Sequence, residues 1–344
     1  MRQSEDTSPL SNSAVRSRTN PGGNGTLATE RPQGVTSTGR RTLHRALSRH
    51  PILFEPVPPS ARTAHDKVEG YVHRVAALLE AHPRVDAFVV PELVNENHNG
   101  EPMYRSGDVR QFASLVSKES GCEAILNRVV AHARSIPELQ EWCAGAIAEG
   151  IHNVMFIGGT SRYIPYPGPS VVEANAGALA LVRQHAGLIG NVVIPHRNDE
   201  GYRMLTKTKS GASFFTTQIV FDPEPVASLI DEYGRLCRAY GVAPASVLLS
   251  VAPVADEDDL EFVRWLGAEI PEKVERSLVS GEGSGSIAAA VGTWRGVVEA
   301  SARWEVPVPL GVNVEVVSPR HFATAVELLS AFEKEMGAGG DGGR

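Results

Sequence analysis

The chain has 344 residues, 42% of them hydrophobic, and a formal net charge of −7, so it can fill a large core. No run of about 18 apolar residues occurs and no apolar h-region opens the chain, which argues against a membrane span or a signal peptide. The cysteines Cys122, Cys143 and Cys237 are far apart and form no CxxC pair, and no HExxH-type spacing occurs among the histidines, so a reducing cytoplasm and no metal are expected.

Charge is divided unevenly. Residues 1–50 hold eight Arg and three acids, a net +5 that leaves −12 for the rest. Their Ser, Thr, Gly and Pro content offers little apolar surface to offset ordering entropy. A disordered tail is expected over 1–45, and a glycine-rich one over 337–344. No aromatic residue sits among the tail arginines to stack on bases, so nucleic acid is not the expected partner.

From residue 51 onward strand-like and helix-like segments alternate. Strands are predicted at 52–56, 87–93, 123–130, 153–159, 189–195, 213–221, 247–254 and 311–317. Helices are predicted at 65–82, near 109–120, and at 136–149, 171–185, 224–240, 258–266, 287–304 and 320–336. The first of these carries Val68, Tyr71, Val72, Val75, Leu78 and Leu79 at helical spacing. Eight such units over 51–336 predict a (β/α)₈ TIM barrel. The competing doubly wound dinucleotide fold lacks a GxGxxG directly after its first strand. The glycine-rich stretch 281–286 follows a helix, and reads as a turn with some capacity to cradle phosphate.

In a barrel the chemistry gathers at the C-terminal strand ends. There the sequence places Glu55, Glu92, Asn127 and Arg128, then Gly158-Gly159-Thr160 and Pro195-His196-Arg197. Gln218, Asp222, Asn313 and Glu315 complete the rim. Gly158 and Gly159 would let backbone approach a ligand closely. Tyr163 and Tyr166, in the loop after the fourth strand, could stack on a flat one. Gln218 is singled out because an amide within a buried β-branched and aromatic run needs partners.

Two motifs carry a resemblance. Phe54-Glu55-Pro56-Val57-Pro58-Pro59 and the pair Lys207…Gly211-Ala212 with Thr217-Gln218-Ile219-Val220-Phe221-Asp222 resemble the methylenetetrahydrofolate reductase family. The likeness extends more loosely over about 51–332. Flavin-containing members end strand four with Arg-Gly-Asp, where this chain has Ile157-Gly158-Gly159-Thr160. Phe156-Ile157-Gly158, Ile194-Pro195-His196-Arg197 and Leu248-Leu249-Ser250 are closer to a flavin-independent actinobacterial branch.

The resemblance implies NAD(P)H-dependent reduction of 5,10-methylenetetrahydrofolate to 5-methyltetrahydrofolate, in one-carbon and methionine metabolism. FAD is a cofactor of the wider family, and the altered strand-four end argues against tight flavin binding here. Glu55 is the implied general acid, protonating the nitrogen that leaves as the folate ring opens. Gln218, Asp222, Thr160 and Tyr163 are the implied substrate contacts. Gly158, Gly159, His196, Arg197 and Lys207 are the implied nicotinamide or flavin contacts. A homo-oligomer is compatible with all of this. The alternatives are a folate-dependent transferase or lyase of specialised metabolism, and a non-catalytic folate-binding barrel.

Overall fold

A computed structural model describes residues 42–96, 102–159, 167–278 and 284–338. Eight parallel strands close on themselves: β1 (Ile52–Glu55), β2 (Val85–Val90), β5 (Glu123–Val129), β6 (Asn153–Ile157), β7 (Ile189–Val193), β8 (Phe214–Thr217), β9 (Ser246–Val251) and β10 (Leu310–Glu315). Two further strands among the described residues, β3 (Val94–Glu96) and β4 (Pro102–Tyr104), pair antiparallel after β2. The expected (β/α)₈ barrel is therefore present. Strand β8 is shorter than the 213–221 run predicted from composition, and residues 218–221 leave the ladder at the rim.

The helices are α1 (Leu43–Ala46), α2 (His65–Ala81), α3 (Val109–Ser120), α4 (Ile136–Ala148), α5 (Val171–Gln184), α6 (Glu200–Lys209), α7 (Pro223–Ala239), α8 (Glu257–Trp265), α9 (Glu272–Leu278), α10 (Ser284–Ser301) and α11 (Phe322–Ala338). Local chemistry fixes several starts. Ser170 and Glu173 form a capping box on α5, and Ser135 caps α4. Among the described residues no helix is long and apolar enough to cross a membrane.

Alternation along the strands sorts side chains between the two faces. Leu53, Ala87, Val89, Ile125, Met155, Phe214 and Leu248 point into the barrel and pack together. Phe214 reaches into that space because its neighbour is Gly190: a Cβ there would lie 2.3 Å from the Phe214 Cζ. Helix α1 closes the bottom, burying Leu43 and Leu47 against the interior cluster. Leu43 N–H donates to Glu123 Oε2 at 3.2 Å, and Ser246 Oγ donates to the Leu47 carbonyl at 2.9 Å. Residues 43–45, assigned to the tail by composition, are thus part of the barrel. The outward faces of the strands, including Phe54, Phe88, Leu126, Phe215, Val247 and Val312, form the larger core with the helices.

Candidate active site

The inward alternation that places Leu53 in the core carries Glu55 to the barrel mouth. Strand β10 runs parallel beside β1, with Leu53 opposite Asn313 and Glu55 opposite Glu315. Asn313 in turn sits opposite Ser250 of β9. Three adjacent strands therefore converge on one amide. The Asn313 Nδ2 donates to Glu55 Oε2 at 2.8 Å, to Ser250 Oγ at 3.3 Å and to Glu315 Oε1 at 3.3 Å.

Two carboxyls share this amide at the edge of an apolar barrel. Desolvation holds Glu55 well above the ordinary carboxylate range; the facing Glu315 charge adds to the rise, and the Asn313 bond opposes it. Burial pushes Glu315 up to about 7, against the bonds from Ser250 and Asn313. Facing like charges do not both ionise readily, so both carboxyls are shifted in the same, upward direction. Asn127 of β5 and Asn313 are both buried, and among the described residues the side-chain carbonyl oxygen of each lacks a hydrogen-bond partner. Buried acceptors left this way are uncommon, and here both face the mouth side of the barrel on inward positions.

The remaining rim residues have varied surroundings. Gln218 is half-buried just past β8; its backbone N–H donates to the Val193 carbonyl at 2.8 Å, and its side-chain amide donates to the Leu266 carbonyl. Asp222 is the N-cap of α7 and accepts from Glu224 N–H at 3.2 Å. His196 pairs with Glu269 at 3.0 Å. The segment between α8 and α9 is thereby tied to the ends of β7 and β8 at two points.

Lys207 faces the back of β7. Its ammonium donates to the Val192 carbonyl at 2.8 Å and to Glu200 Oε1 at 3.3 Å, and burial lowers its pKa. Glu200 is itself buried, and Arg197 lies 3.9 Å from its other oxygen with the arginine side chain 36% exposed. Of the two cations expected to hold a phosphate, Arg197 keeps donors toward solvent, whereas Lys207 holds the α6–β7 packing together. Glu92 is committed to Arg128 at 2.6 Å and to the Val129 N–H at 2.8 Å.

Gly158 and Gly159 follow β6, and among the described residues a Cβ on Gly158 would meet only Val171 Cγ2 at 3.9 Å, an ordinary contact. Thr160, Tyr163, Tyr166 and the glycines of 281–283 lie outside the described residues. Elsewhere, His321 Nδ1 lies 2.6 Å from Asp259 Oδ2, joining the segment after β10 to α8.

The carboxyl pair was only half legible in the sequence. Glu55 stood out through its proline-rich context. Asn313 and Glu315 stood out only as polar residues two apart in a buried strand, the spacing that puts both on one face. Their contact with Glu55 depends on the closure of the barrel between β1 and β10, which brings together residues 258 apart in sequence.

No protein-family model matches the chain, and no curated protein matches it in sequence. Its fold does match solved structures. One is an uncharacterised protein from Clostridium thermocellum that binds two copies of 5-methyl-5,6,7,8-tetrahydrofolic acid. The two share 17% identity with a TM-score of 0.66, over 85% of this chain and 99% of that one. At that identity the likeness speaks to the barrel.

Proposed function

We propose that this protein binds a reduced folate at the barrel mouth and reduces 5,10-methylenetetrahydrofolate to 5-methyltetrahydrofolate with NAD(P)H. The observation that carries the reading is the pair of carboxyls, Glu55 and Glu315, bridged by the Asn313 amide where a TIM barrel places its chemistry. The folate-binding neighbour and the strand motifs around Glu55 and Gln218 support the choice of substrate.

The substrate is a cyclic aminal, and its reduction needs one ring C–N bond to open to an iminium cation. A carboxyl that stays protonated near pH 7 can deliver its proton to the departing nitrogen. Glu55 takes this role in the proposal, its proton affinity raised by burial and by the facing Glu315 charge. Once the proton has left, the pair bears added negative charge beside the new cation and stabilises it electrostatically. The unpartnered carbonyl oxygens of Asn127 and Asn313 suit the N–H groups of a pterin edge. Gln218, whose amide already donates to Leu266, retains its carbonyl oxygen as a further acceptor.

A nicotinamide supplies the hydride when bound. Arg197 is the cation on the β7 rim with donors free for its phosphate, and His196, Gly158 and Gly159 border the same side. A flavin has less to hold it: no acid follows Gly158-Gly159, and Lys207 is occupied by Glu200.

Glu55→Gln tests the assignment. It should leave folate affinity within a few-fold of the parent and lower turnover by about 10²-fold or more. Unchanged turnover would remove Glu55 from the chemistry, and a matching loss of affinity would make it a binding residue instead.

A further inference from the structure

The carboxyl pair lies at one end of the barrel, and a cavity of about 650 Å³ opens at the other. It is bounded by α1, by the starts of β5, β6 and β7, by the end of α5 and by the turn before β8. The chain beyond residue 50 carries a net −12, and the cavity departs from that balance. Helix α1 contributes His44 and Arg45 to its wall, and the residue before β6 contributes His152. The end of α5 adds Arg183 and His185. The single acid in the wall, Glu123, is already engaged: its Oε2 accepts from Leu43 N–H and from Asn153 Nδ2, each at 3.2 Å. Among the described residues neither arginine is ion-paired, and none of the three imidazoles makes a hydrogen bond.

The backbone sets two of these groups together. Ala186 adopts φ 56°, and a Cβ at Gly187 would collide with the His152 carbonyl oxygen. The turn after α5 therefore packs directly on His152, and the His152 and His185 rings stand 6.0 Å apart. Burial lowers the His152 pKa, the neighbouring His185 lowers it further, and Glu123 opposes both. Val182, Leu188 and Ile189 are buried and add an apolar floor, whereas both arginines are exposed. Basic groups around an apolar floor suit a ligand with phosphate at one end and an apolar or flat body at the other.

We infer that this cavity is a binding site for a phosphorylated small molecule of nucleotide size, separate from the barrel mouth. Two guanidiniums can hold its phosphates bidentately, and the imidazoles add N–H donors. Helix α1 links the site to the barrel, because it forms one wall and buries Leu43 and Leu47 against the interior cluster. A ligand held on α1 therefore stabilises the docked helix and the folded chain. The site stands whether or not the mouth takes a folate.

The probe is magnesium-free ADP, titrated by calorimetry into the full chain at low salt. The parent should bind it with a Kd on the order of 10⁻⁴ M, and about 0.5 M salt should weaken that about tenfold. The double substitution Arg45→Gln, Arg183→Gln should weaken binding about tenfold or more. ADP should raise the thermal midpoint of the parent and leave that of the double variant unmoved. Arg183→Gln alone, at an exposed helical position, gives the same reading at about threefold should the double variant fail to fold.

ADP is also part of a nicotinamide dinucleotide, so Arg197→Gln separates the two ends of the barrel. That variant should keep the parent's affinity for ADP. Loss of ADP binding in Arg197→Gln would move the nucleotide to the mouth and overturn the inference. Equal affinity in the parent and the cavity variants would overturn it too, as would a parent that binds no ADP. NADH oxidation with the folate is read separately, so its failure would end the reductase reading and leave this site standing.

Discussion

Replacing Glu315 by Gln should stabilise the protein at alkaline pH, although it alters the candidate site. The carboxyl sits opposite Glu55 and is pushed up to about 7 by burial. In the unfolded chain it would titrate near 4.3. Between these values the native state holds a proton that the unfolded state has released. The stability this group confers is therefore full below about pH 4.5 and is lost as pH rises through about 7. A gap of roughly 2.5 units corresponds to about 3 kcal/mol, and partial access of water at the mouth reduces that to about 2 kcal/mol. Glutamine keeps the shape and cannot ionise.

Urea unfolding of parent and variant at pH 5.5 and pH 8.0 reads the effect, and comparing the two proteins cancels the titrating groups outside the pair. Only about 1.5 of the roughly 2.5 units lie between these pH values, so the variant should gain on the order of 1 kcal/mol relative to the parent between them. Glu55, relieved of the facing charge, should also titrate lower, moving the alkaline limb of any activity profile down. A difference between parent and variant that stays constant with pH would refute the raised pKa of Glu315.

Two further substitutions test the supporting structure. Lys207→Met should destabilise the protein by about 3–5 kcal/mol, because it leaves the buried Glu200 carboxylate without its closest cation; a thermal or urea midpoint checks this, and a neutral result would return Lys207 to the list of free ligand contacts. Tyr233→Phe should cost about 1–3 kcal/mol with no change in catalysis. Its buried hydroxyl bonds Thr208 at 2.7 Å and accepts from Ala245 N–H at 2.8 Å, tying α7 to α6 and to the start of β9.

The barrel was legible because its signal is periodic and repeated. Each strand is a short apolar run and each helix an amphipathic stretch, and a closed parallel sheet accommodates eight such pairs. Elements below that scale escaped. Helix α1 is four residues long, and its arginine-rich surroundings hide Leu43 within the expected tail. The β3–β4 pair lies in a polar segment with no apolar alternation to mark it.

The site was legible where one segment carries the signal, as at Glu55. It was not where two distant segments meet. Glu200 and Lys207 occupy one helical face at i, i+7, so their pairing could have been anticipated from spacing alone. The Glu55–Glu315 contact required the barrel to close. Gln218 was expected inside a strand; because β8 ends at Thr217, it emerges at the rim, where its amide meets Leu266.

The most direct test of the account is a single cuvette. Purified protein is scanned from about 300 to 550 nm, then given NADH, then methylenetetrahydrofolate. A colourless protein that oxidises NADH only after the folate is added, forming 5-methyltetrahydrofolate, is the predicted result. A protein that binds the folate and consumes no NADH would contradict the reductase reading and leave a transferase, a lyase or a binding barrel.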